Sequence, residues 1–116
     1  MFDISQNVFV NFSAREMESY LRKLMLFLRS NVPEMADVPD AQLLNDLRGL
    51  TDQAQSFGMV SEQGIAVYAL TAAQLGIDFV ARFPGALEIL RSSESEARKA
   101  ELLEAFTLNL LELLEG

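Results

Sequence analysis

The chain has 116 residues, half of them hydrophobic, with 17 acidic against 9 basic side chains and neither cysteine nor histidine. That length makes one domain, residues 1–116, which can bury roughly two-thirds of its unfolded surface without help from a metal or a disulfide. The inventory excludes thiol chemistry, disulfide-stapled folds and imidazole bases or ligands, while a net charge of −8 disfavours nucleic acid and suits a basic protein partner.

The first twelve residues are ambiguous: Val8, Phe9, Val10 and Phe12 favour an extended run over 2–12, whereas Ser5 could cap a short helix. Ser13 and Glu16 then form a capping box that opens a helix over 13–30. Met17, Tyr20, Leu21, Leu24, Met25, Phe27 and Leu28 share an arc of about 160° on it, and Leu26 falls among the polar residues opposite. The apolar run 24–28 is far shorter than a membrane span, and no basic segment followed by an apolar run opens the sequence. The expectation is a soluble, cytoplasmic protein that enters no membrane.

Pro33 and Pro39 bound a surface loop over 31–39. Asp40 is placed as the N-cap of a helix over 40–57, whose Leu43, Leu47, Leu50, Ala54 and Phe57 form one stripe and whose terminator is Gly58. A short link leads to a third helix, 61–75, capped by Ser61 and stopped by Gly76. Its apolar residues spread almost all the way round, leaving Glu62, Gln63, Thr71 and Gln74 as the polar points. Such a helix is buried, and the domain is expected to be built around it.

Phe79 and Phe83 are placed against that hub, and Pro84 begins a short helix over 84–91. Ser93 and Glu96 read as a second capping box in front of a last helix over 94–114. The fold class is therefore all-α: one compact bundle of about five helices.

Nothing in the sequence assembles a nucleophile with its base, and the serines stand where caps are needed. The carboxylate pairs Glu101 with Glu104 and Glu112 with Glu115 lack further ligands or a pocket, and the glycines fit no phosphate loop, so no cofactor, metal or enzymatic activity is expected. The last helix is more informative. Leu102, Leu103, Phe106, Leu110, Leu113 and Leu114 make an arc of about 120° that should face the core, yet Leu108 and Leu111 lie outside it among Glu104, Asn109, Glu112 and Glu115. Either this helix is wedged between two others, or its second face binds a partner helix or another copy of the chain. The candidate contact residues are Leu108, Leu111, Glu104, Glu112 and Glu115, with Leu26 on the first helix.

The run from Gly58 through Ser61, Glu62, Ile65, Tyr68, Leu70, Leu75, Gly76 and Asp78 to Phe79, followed by Pro84 and Ile89-Leu90, resembles a family of small acidic bacterial helical proteins. Their genes typically lie beside those of type VI secretion adaptor chaperones and effectors. The likeness extends to the Val32-Pro33 loop and to the segment from Lys99 to Leu103; it departs where the family often has tryptophan and this chain has Ala86-Leu87. The resemblance implies a non-enzymatic co-chaperone that helps an adaptor chaperone hold or load a toxic effector. Its alternative is an immunity protein that neutralises the toxin directly. The matched residues are caps, core and turn, so the resemblance brings no catalytic residue with it.

Overall fold

The computed structural model describes residues 13–115, and the ambiguous stretch 2–12 lies outside them. The fold is all-α. Six α-helices form among the described residues: α1 Ala14–Asn31, α2 Asp40–Ser56, α3 Glu62–Leu75, α4 Phe79–Arg82, α5 Pro84–Arg91 and α6 Glu96–Glu115.

Local chemistry explains the helix starts. Ser13 and Glu16 close the capping box, with the Glu16 N–H donating to Ser13 Oγ at 3.2 Å and the Ser13 N–H to Glu16 Oε1 at 3.0 Å. The Ser13 backbone N–H first, and the Ser13 hydroxyl second, hold the Glu16 carboxyl below its ordinary range. Gly58 and Gly76 follow α2 and α3 with φ of 81° and 112°, a region that L side chains rarely enter.

Three boundary expectations need correction. The 31–39 loop contains a 3-10 turn, Pro33–Asp37. Asp40 is the first residue of α2 rather than its cap, because its carboxylate pairs with Arg29 at 2.8 Å; the same guanidinium donates to the Val38 carbonyl at 2.6 Å. The segment after Gly76 is helical over α4, which buries Phe79 and leaves Phe83 half-buried against the core and edge-on to Phe106 of α6.

Helix α3 is the hub. It packs on α1, α2, α4 and α6, and nine of its fourteen residues are buried. Thr71, expected as a polar point, is among them, its hydroxyl donating to the Val67 carbonyl at 2.8 Å; Thr51 and Thr107 solve the same problem on α2 and α6. A threonine bonded to the carbonyl four residues back is satisfied without water and behaves as core. The alanines of α3, Ala66, Ala69 and Ala72, let its neighbours approach closely.

Two buried tyrosines anchor the hub. Tyr20 of α1 donates to the Glu62 carbonyl at 2.8 Å, and Tyr68 donates to Gln53 Oε1 at 3.0 Å. Burial raises both phenols: Tyr68 to about 12, and Tyr20 further, with the Glu62 charge adding to the rise. A raised phenol favours the fold while it is neutral in both states. The expected result is a flat stability profile up to about pH 9 that falls as pH passes the unfolded-chain value near 10 towards 12. Urea titrations from pH 8 to 11 test this, and Tyr68→Phe should flatten the fall.

Candidate functional site

The direction of the helices decides what α6 can touch. Ser61, at the start of α3, receives Glu96, at the start of α6; at the other end, Arg82 donates to the Leu75 carbonyl and the adjacent Phe83 meets Phe106. The two helices therefore run in broadly the same direction, and α5, whose Gly85 meets Phe106, runs back along α6. Since α3 has 14 residues and α6 has 20, α6 outlasts its main support. Residues beyond Leu110 extend past Leu75 by about one and a half turns, roughly 8 Å.

The near end of α6 is clamped. Ser95 caps it, accepting the Arg98 N–H at 3.2 Å, so the expected Ser93–Glu96 capping box does not form. Glu96 instead crosses to α3, where one carboxylate oxygen accepts the Ser61 N–H at 3.0 Å and the Ser61 hydroxyl at 2.5 Å. Ser61 Oγ in turn accepts the Gly64 N–H at 3.0 Å. Gly64 leaves room for this carboxylate, since a Cβ there would collide with it. One turn on, Lys99 Nζ donates to the Phe57 carbonyl at 3.0 Å. The first turn of α6 thus sets an anion at the N-terminus of α3 and a cation at the C-terminus of α2, as both helix dipoles favour. The buried Ser61 hydroxyl has its proton on Glu96 and a lone pair on Gly64, which makes it a structural cap.

Among the described residues, the far end beyond Leu111 has no packed neighbour. The seam of α6 is Ala100, Leu103 and Thr107, with Phe106, Leu110 and Leu111 half-buried beside it. Leu113 and Leu114, expected in the core, are 78% and 73% exposed because α3 has ended. Leu108 is 62% exposed, as its position outside the arc suggests, whereas Leu111 is packed against the core and so is only partly available. Glu104, Glu112 and Glu115 are exposed around them. Leu26 is 63% exposed on α1, whose main contacts are with α2 and α3.

The candidate site is accordingly the outer half of α6, to which Leu113 and Leu114 are added, with Leu26 exposed apart from it on α1. Periodicity alone misplaces the last two leucines, since their phase points to a core that is no longer there. The signal that would have found them is the length difference between α3 and α6.

Elsewhere, a groove of about 280 Å³ lies between α1, α2 and α3, walled by Leu28, Leu43 and Leu47 and floored by Ala69 and Ala72, with Asp46 at its edge. Among the described residues no cluster of three acidic, cysteine or histidine side chains could hold a metal, and no helix is long and apolar enough to cross a membrane. Comparisons with protein-family models, with curated proteins and with solved structures gave no match to this chain.

Proposed function

We propose that this chain is a cytoplasmic, non-enzymatic accessory protein, a co-chaperone that assists an adaptor chaperone in holding or loading a type VI secretion effector through the outer half of α6. The observation that carries the binding role is the unsupported end of α6, where Leu108, Leu113 and Leu114 stand in solvent on a helix anchored at its other end. A protruding apolar helix is a poor catalyst and a good handle for another protein. The secretion context comes from the resemblance of residues 58–90.

Co-expression with the products of the neighbouring genes tests the reading. The expected result is co-purification of an adaptor–effector complex with the wild-type chain and its loss with Leu113→Ser/Leu114→Ser, while the melting temperature of the free variant stays within about 3 °C of wild type, as for exposed positions. Secretion of active effector at normal levels after deletion of this gene overturns the co-chaperone role. Inhibition of the toxin by this protein alone replaces it with the immunity role.

A further inference from the structure

We propose that residues 2–12 of this chain lie along the channel between α1 and α6 and cover the side of the hub helix that faces it. The proposal goes beyond the accessory role and stands independently of it.

The first ground is the way α3 is surrounded. Gln63, Leu70 and Gln74 share an arc of about 40°, centred about 100° from Glu62, which receives Tyr20 of α1, and about 100° from Gly64, which meets Glu96 of α6. The opposite side, at Tyr68, is taken by Phe57 and Phe79. Among the described residues α1 packs chiefly on α2 and α3, and α6 on α3 and α5, so a channel runs between them with Leu70 half-buried in its floor. At the end nearest Ser61 it widens into a cavity of about 370 Å³ between Gln63 and Gly64 of α3 and Ala97, Ala100 and Glu104 of α6.

The second ground is reach. Ser13 caps α1, and Tyr20, two turns later, stands at the start of α3, so the chain meets α1 roughly 10 Å before α3 begins. Leu70 lies roughly 12 Å further on. Eleven extended residues span about 36 Å, enough to turn back and pass Leu70, with the stretch from Val8 to Phe12 level with the cavity. The groove of Leu28 and Leu43 is a poorer destination. Leu28 lies roughly 22 Å along α1 from Ser13, and the five residues back to Val8 span about 17 Å at most, so Val8, Phe9, Val10 and Phe12 fall short of it.

The third ground is chemistry. Phe2, Ile4, Val8, Phe9, Val10 and Phe12 are apolar, and Asp3 is the only charge in the segment. Such a chain gains by covering Leu70 and is not repelled by Glu101 and Glu104 on the rim. A tether to α1 makes its docking intramolecular, at an effective concentration of the order of millimolar. A second copy has no such advantage and brings a further net charge of −8.

The test uses the full chain, which has no cysteine of its own. A nitroxide is attached at Gln74→Cys, beside the channel, or at Gln42→Cys, on the rim of the other groove, both exposed positions. The label at position 74 should broaden the amide signals of residues 2–12 at least twofold, and the label at 42 should leave them sharp. Phe9→Ser/Val10→Ser should abolish that broadening while Glu104, across the channel, stays broadened. Broadening from position 42, from neither position, or undiminished in the serine variant would overturn the proposal. So would broadening that appears when the nitroxide and the isotope label are on different molecules, which would assign the channel to a second copy.

Discussion

Tyr68→Ala is expected to cost about 3–5 kcal/mol of stability, a large part of what holds a domain of this size together. Tyr68 is fully buried on α3, its ring 5.0 Å from that of Phe79 and 6.2 Å from that of Phe57, so one side chain ties α4 and the end of α2 to the hub. Truncation leaves a cavity bounded by two rings that are themselves held by other contacts and cannot close over it. The melting temperature should fall by roughly 12–20 °C. Tyr68→Phe keeps the packing and removes the bond to Gln53, an exposed residue that can turn to water, so its cost should be near 1 kcal/mol. A Tyr68→Ala variant that melts within about 3 °C of wild type would remove α3 from the centre of the fold.

The second large effect is expected at Glu96. Glu96→Ala removes the acceptor of two hydrogen bonds from Ser61, one of them from a buried hydroxyl, together with the negative charge at the start of α3. Bonds to a charged acceptor contribute more than neutral ones, and about 2–3 kcal/mol is the expected loss. Ser61→Ala should cost about as much, since it removes the cap on Gly64 as well as the partner of Glu96. The double variant should then fall well short of the sum, because both changes break the same relay. Chemical denaturation of the three variants gives the cycle, and strict additivity would mean that the relay contributes nothing as a unit.

These two positions also mark what local sequence can and cannot reveal. Ser61 was readable as a cap because a cap is a matter of four consecutive residues, and the burial of α3 because a helix apolar on nearly every side has only one environment. The same four-residue logic that identifies Ser61 misplaces Glu96. The spacing of Ser93 and Glu96 satisfies the capping-box pattern, but the carboxylate is drawn 35 residues away by an N–H and a hydroxyl that α3 presents to it, and Ser95 caps α6 in its place. Asp40 moved likewise, towards Arg29. Leu113 and Leu114 show a second limit. Periodicity records which direction a side chain points and says nothing of whether a neighbour extends that far. The candidate site was therefore half visible: Leu108 by its phase, the exposed end only once α3 and α6 could be laid side by side.

Anchored at Glu96 and Lys99 and, among the described residues, exposed from Glu112 onward, α6 is expected to open from its far end first. The free energy of local opening should rise along it, from near zero in the last turn to that of global unfolding at Leu103. Motion at the tip then belongs to the nanosecond-to-microsecond range of fraying ends and leaves the core undisturbed. An arriving molecule meets a segment that rearranges as fast as the two diffuse together, so capture there never has to wait for the protein to unfold.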